Sequence, residues 1–296
     1  MPSRRLVSLG MSLLTALAAV GCAVPHDYRD RLFSASMSEM GVVEGGSEKP
    51  LEVTVRFPAG GTQIRSTDEG VYKASVNYCE VHAMPSALLV PAGGDSPARL
   101  TLALEGKPGV FAGFGGERNR MDLALTSRVA LILDLDLGEG ESVIDVSELR
   151  FRRFNLHAGA GDTRVVFGGP NPERASEVTI QAPIGDLSVD RLGSANAERT
   201  TVMGGIGSLE IDLSGPWRTD GAVLIEASVG SLYLRLPRGP GIRLEVGSPW
   251  SEDLDLAGFT REGQVWRTDG FATASPRLDI RVEAGIGSIT VESVGS

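Results

Sequence analysis

Thr200-Thr201-Val202-Met203-Gly204-Gly205-Ile206-Gly207-Ser208-Leu209-Glu210-Ile211-Asp212 is the stretch from which the architecture can be read. Apolar and polar residues alternate on both sides of Gly207, the period-two signature of a strand with one buried face. Five other stretches align with it without gaps, at 133–145, 154–166, 178–190, 223–235 and 280–292. All six place glycine in one column: Gly140, Gly161, Gly185, Gly207, Gly230 and Gly287. Consecutive spacings from Gly140 to Gly230 are 21, 24, 22 and 23 residues. Five residues before that glycine stand Leu135, Leu156, Ile180, Val202, Ile225 and Val282, and four after it Ile144, Val165, Val189, Ile211, Leu234 and Val291. Each copy therefore reads as strand, glycine bend, strand, with one apolar face. The glycine is expected where φ is positive or where a Cβ would collide with a neighbour.

A fixed period of this length is the mark of a repeat architecture. One such unit cannot bury its apolar face alone, whereas stacked copies share a continuous core. The pattern predicts an all-β chain, either a β-solenoid with rungs of about 22 residues or a sheet of consecutive hairpins. Irregular stretches of about ten residues between copies are longer than hairpin loops prefer, which favours the solenoid. A weaker copy lies at 53–65, and a degenerate one at 242–256 carries Ile242, Leu244, Val246, Leu254 and Leu256 without the fixed glycine. Leu51–Phe57 and Leu100–Leu104 also alternate as strands. The expected division is a signal segment at 1–21, a tether at 22–49, an N-terminal β segment at 50–127 and the repeat solenoid at 128–296. Within the tether the residues are small and polar, ending in Glu44-Gly45-Gly46-Ser47-Glu48-Lys49-Pro50, with room for a short, poorly capped helix near 27–38.

Arg4 and Arg5 precede an apolar run from Leu6 to Val20 and a small-residue end, the parts of a secretory signal peptide. The run is shorter than the roughly 20 residues a helix needs to span a bilayer. Ala19-Val20-Gly21-Cys22 resembles a lipobox, so Cys22 is the expected lipidation site and the acyl chains the expected membrane anchor. Ala23 after the cysteine points to outer-membrane delivery. Removal of residues 1–21 leaves 26 basic against 38 acidic residues, a net charge of −12. Nucleic acid is excluded as the main partner, because it is bound by clustered Lys and Arg. Cys79 then has no second cysteine to pair with, and its strand-like surroundings predict burial.

The Gly-x-Gly-[Ser/Asp]-aliphatic pattern, with Leu133–Glu141 leading in and Val282–Val291 closing, resembles the toast-rack or putative-adhesin family of bacterial β-solenoid domains. It is also similar to the C-terminal domain of cell-wall-active antibiotic response proteins. The resemblance is clear over 128–296 and looser over 51–127. It implies the solenoid fold and a cell-envelope setting, and it leaves an adhesin-like scaffold and an envelope-stress regulatory partner as alternative roles.

No motif names a reaction. The glycines at 159–161 lead into a strand, whereas nucleotide-binding fingerprints lead into a helix. A calcium roll needs a nine-residue period. The column five after the glycine holds Asp145, Asp190, Asp212 and Glu292, broken by Val166 and Arg235; stacking would set Asp190 and Asp212 about 4.8 Å apart, close enough to attract a cation or to splay into solvent. Asp134/Asp136 and Asp253/Asp255 share strand faces in the manner of a glycan-cleaving β-helix, but no basic partner can be placed beside them from the sequence. His26, His82 and His157 are scattered, and three tryptophans across 217–266 give slight support for a carbohydrate groove. Phe111 and Phe114 sit in a glycine-rich loop as a contact tip or an end plug. The reading is a non-enzymatic envelope scaffold with no catalytic residue, metal or cofactor. It is expected to bind an envelope protein, a cell-wall polymer or a second copy, with a carbohydrate-active enzyme as the weaker alternative. The last copy leaves only Ser293–Ser296 to cover it, so its edge is the expected docking edge.

Overall fold

The computed structural model describes residues 28–40, 49–106, 119–247, 254 and 256–293. The signal segment, Cys22, His26, the loop with Phe111 and Phe114, Trp250 and the pair Asp253/Asp255 lie outside the described residues.

Each copy folds as one rung, a leading and a trailing strand joined at the fixed glycine. They are β8 (Ala130–Glu139) with β9 (Ser142–Asp145), β10 (Arg150–Ala158) with β11 (Thr163–Val166), and β12 (Glu177–Ile184) with β13 (Leu187–Asp190). In β14 (Arg199–Asp212), β15 (Gly221–Leu236) and β19 (Arg277–Ser293) the strand runs through the bend unbroken. Neighbouring rungs pair parallel and in register, with Gly207 opposite Gly230 and Gly230 opposite Gly287. Parallel pairing excludes the hairpin alternative: this is an all-β solenoid. The connections stack too, forming a third side in which Asn171 N–H donates to Ser194 O at 2.8 Å and Gly193 N–H to Ser214 O at 3.0 Å.

Gly207 shows what the bend requires. Its φ is +144°, and a Cβ there would lie 2.1 Å from the carbonyl oxygen of Gly185 on the rung below. The same contact runs down the stack. A Cβ on Gly140 would meet Gly60 O, and one on Gly287 would meet Gly230 O at 1.6 Å. The bend thus lets backbone lie directly on backbone.

The chain before residue 128 belongs to this same stack. β2 (Leu51–Ala59) and β3 (Gly61–Thr67) form a rung parallel to β8 and β9, and Gly60 takes the fixed position. β6 (Arg99–Gly106) and β7 (Arg120–Thr126) form another rung on the far side of β2 and β3. β5 (Ala83–Val90) covers β6 antiparallel, and β4 (Tyr72–Cys79) covers β7 in the same way. The expected boundary at 127/128 therefore separates no two bodies, since one hydrophobic core runs from Met40 to Val282.

The expected tether at 22–49 needs correction. Residues Tyr28–Ala35 form β1, antiparallel to β4, followed by a 3₁₀ turn at Met37–Met40 rather than the short helix. Phe33 and Ala35 pack on the core beside Ala74 and Tyr72, and Met40 is buried. The alternation was obscured because Arg29 and Arg31 share that inward parity at the open end of the core. Arg31 is accommodated by reaching across to Pro85 O, 3.4 Å away.

The degenerate copy is an end piece. β16 (Gly241–Val246) pairs with the leading half of β19 on the side away from β15, followed outward by β18 (Val265–Thr268) and β17 (Phe259–Glu262). β19 is thus inserted between β15 and β16. Ile242, Leu244, Val246 and Trp266 are buried there. The expectation that the last copy has no cover is overturned for its leading half, because the cover comes from residues that precede it in sequence.

Inside, the predicted columns are the core: Leu135, Leu156, Ile180, Val202, Ile225 and Val282 are at most 3% exposed. Phe151, Phe154 and Phe167 form an aromatic cluster with ring centroids 5.8–6.0 Å apart. Asn171 ties the third side to it: its amide donates to Phe151 O (2.8 Å) and Ala195 O (3.1 Å), and its carbonyl accepts from Phe151 N–H.

Candidate functional site

In the leading half of the Gly207 rung Thr200 and Val202 point inward, and in the trailing half Leu209 and Ile211 do. The change of parity at the bend leaves the residue just before the glycine at the outer corner. That residue is aliphatic in successive rungs: Ile184, Ile206, Val229 and Ile286, with exposures of 53, 61, 43 and 76%. They are register partners from strand to strand, and Ala160 continues the row below Ile184. With parallel strands about 4.8 Å apart, four such side chains make a ridge roughly 14 Å long.

One flank of the ridge is nearly bare backbone. A Cβ on Gly205 would lie 1.9 Å from Pro183 O and one on Gly285 2.2 Å from Ser228 O, so the chain itself fills the space. On the other flank the residue after the fixed glycine is Asp162, Asp186, Ser208, Ser231 or Ser288. The aspartates brace the stack: Asp162 accepts from Asp186 N–H at 3.2 Å and Asp186 from Ser208 N–H at 2.8 Å. Beyond them the outer face of the trailing strands is a shallow depression of about 640 Å³, lined among others by Arg65, Asp145, Asp162, Arg164, Asp186 and Glu210.

The acidic column is engaged rung by rung. Asp145 accepts from Ser147 N–H, Asp190 pairs with Arg164 at 2.7 Å, Asp212 accepts from Ser214 N–H and faces Arg235 at 3.7 Å, and Glu292 accepts from the Tyr233 hydroxyl. Arg235, which breaks the column in sequence, is the register neighbour of both Asp212 and Glu292 and relieves their repulsion. Among the described residues no three His, Cys, Asp or Glu side chains are grouped as metal ligands.

On the leading face, Asp134 accepts from Asn155 at 2.7 Å and pairs with Arg153 at 3.3 Å, and Arg56 is the register neighbour of Asp136. Single arginines therefore stand beside Asp134 and Asp136, placed there by a strand order that the sequence does not show. His157 Nδ1 lies 3.3 Å from Gln181 Oε1 in a shallow depression of about 480 Å³. Trp217 and Trp266 are core residues at 7% and 2% exposure, which removes them from any carbohydrate groove. Cys79 is buried, at 1% exposure.

The aliphatic ridge is the feature that reading the sequence for buried columns missed. Its signal was present as Ile184, Ile206, Val229 and Ile286 in one column between two turn positions, absorbed into the turn.

This geometry defines a capped, parallel β-solenoid that offers outer ladders of repeated side chains. Residues 34–190 match the family described as the N-terminal domain of toast_rack, DUF2154, and the chain belongs to that family. The match reaches further toward the N-terminus than the sequence resemblance suggested. Curated proteins give no match. Among solved structures, the chain is similar to a putative cell adhesion protein from Clostridium sporogenes, at 16% identity and TM-score 0.42 over 90% of this chain and 99% of that one. It is also similar to a putative adhesin from Bacteroides fragilis, at 11% and 0.35 over 90% and 97%. A third is a putative lipid binding protein from Parabacteroides distasonis, at 12% and 0.33 over 90% and 97%.

Proposed function

We propose that this protein is a non-catalytic, lipid-anchored scaffold of the cell envelope. In this reading it acts in the manner of an adhesin, holding an envelope protein or a cell-wall polymer along its solenoid. The observation that carries this reading is the ridge of Ile184, Ile206, Val229 and Ile286. Aliphatic side chains on a surface normally occur singly, whereas a contiguous row of them marks a contact site. Its repeat, one side chain per rung, suits an extended partner.

Support for the anchor is the spacing between Cys22 and β1. Only five residues separate Cys22 from Tyr28, so an acyl group on Cys22 would lie within about 20 Å of the end formed by β1 and β5. No helix among the described residues is long and apolar enough to cross a membrane. The ridge lies toward the other end of the stack, away from the anchor.

The test combines two changes. Cys22→Ala should release the protein from the membrane fraction with its melting temperature unchanged; continued sedimentation with membranes would place the anchor elsewhere. Ile206→Asp with Val229→Asp should leave the fold intact, since both side chains are exposed. In cross-linked envelopes that variant should recover at least tenfold less of the partner captured by the parent. Undiminished recovery by a folded variant would exclude the ridge.

A further inference from the structure

Four strand edges are open among the described residues: β1, β5, β17 and the trailing half of β19. An open edge is a template for another strand, and proteins block it with charge, proline or a cover. Three of the four are blocked in this way. β1 carries Arg29, Asp30 and Arg31, β5 carries Pro85, and β17 carries Arg261 and Glu262. The fourth runs from Ala284 to Ser293 with no proline and one charge, Glu292, which accepts a hydrogen bond from the Tyr233 hydroxyl on its covered side. β16 pairs with β19 only from Arg277 to Val282 and so stops short of this segment. Ile289 and Val291 occupy inward positions, yet both remain only partly buried, because no rung follows them.

We propose that this edge pairs with the same edge of a second copy, antiparallel about a two-fold axis at Thr290. That axis sets Ile289 of each copy opposite Val291 of the other on the inward face, completing the burial that the last rung lacks. Outward, Thr290 meets Thr290 and Ser288 meets Glu292, so no like charges are opposed. The chain as a whole has a net charge of −10, and two copies repel over most of their surfaces. This end, whose single carboxylate Glu292 stands beside Arg235 and opposite Ser288 of the other copy, is where they can approach. Ile286, the most exposed residue of the ridge at 76%, lies beside the join and continues the apolar surface into it.

Seven paired residues, 287–293, cover roughly 20 Å of edge, well under the roughly 800 Å² per partner of a standard stable interface. The dimer is accordingly weak and concentration-dependent. The inference rests on neither the anchor nor the ridge's partner, so it can fail or stand without them.

The test is sedimentation of the chain from residue 22 with Cys22→Ala, from 1 to 500 µM. The expected result is a mass that rises from monomer to dimer and stops there. Thr290→Lys, which sets two ammonium groups face to face, should weaken association at least tenfold, while Thr290→Val should preserve it. Thr290→Cys should form a symmetric disulfide dimer on oxidation, since opposed residues of antiparallel strands have Cβ atoms about 4.5–5.5 Å apart and a shift of about 1 Å at this chain end brings them within disulfide reach. Cys79, buried, should not compete. A monomer throughout, growth beyond the dimer, or a dimer indifferent to Thr290→Lys and not cross-linked through Thr290→Cys would each overturn the proposal.

Discussion

Replacing Gly207 by valine tests the stacked bend directly. A Cβ at this position would stand 2.1 Å from Gly185 O, about 1 Å inside the closest ordinary contact. That oxygen belongs to a backbone that cannot simply retreat: Gly185 N–H donates to Ile206 O at 2.9 Å, and Gly185 itself rests on Gly161. A side chain held at φ +144° adds strain of about 1–3 kcal/mol, and overpacking adds about 1–3 kcal/mol more. The combined loss is about 2–6 kcal/mol. For a domain of this size 1 kcal/mol moves the melting temperature by about 2–4 °C, so a fall of roughly 4–24 °C is expected. Ser208→Val is the matched control. Ser208 is exposed, and the bond it gives to Asp186 uses backbone N–H, which valine keeps; its effect should stay within about 0.5 kcal/mol. Calorimetry of both variants at one scan rate decides the matter. Melting temperatures equal within a degree would refute the account of the bend.

Two further outcomes follow from the third side of the stack. Asn171→Leu should cost about 2–4 kcal/mol in urea unfolding, because Phe151 N–H and O and Ala195 O lose the partners that the amide supplies; a loss below 1 kcal/mol would mean that the neighbouring backbone replaces it. Glu173 is bonded by Arg150 at 2.6 Å and by Arg152 at 3.1 Å; chiefly the Arg150 bond, then Arg152, holds its carboxyl below the usual carboxylate range against the opposing effect of burial. A depressed folded value contributes stability that is present above the unfolded value and lost as pH falls through the folded one. Glu173→Gln should therefore be less stable than the parent at pH 7, and the difference should vanish in acid. A gap independent of pH would assign the effect to packing.

Much of this fold is legible in a single column. Gly140 to Gly287 marks every bend from β8 onward except the one the chain omits at β16, and the flanking apolar columns name the core. The order of the rungs is not legible. Alternation tells which face of a strand is buried but not which strand lies beside it, so β6 and β7 outside β2 and β3 left no trace in sequence. Arg153 beside Asp134 was hidden for the same reason. β1 escaped because its inward positions at the open end are arginines. The ridge was visible as letters, but its exposure follows from the parity change at the bend, which only geometry shows.

The position of β19 also orders events in time. Residues 241–246 and 259–268 are made before it, yet their place lies beyond it, against an edge that does not exist until residues 277–282 arrive. A chain emerging from its N-terminus during synthesis can stack rungs as far as β15, but β16 and its hairpin must wait with Ile242, Leu244 and Trp266 uncovered. The two edges, β15 and β16, bound a slot one strand wide. Completion is therefore a single late insertion, and until residue 293 has been made and released the protein cannot lock shut at that end.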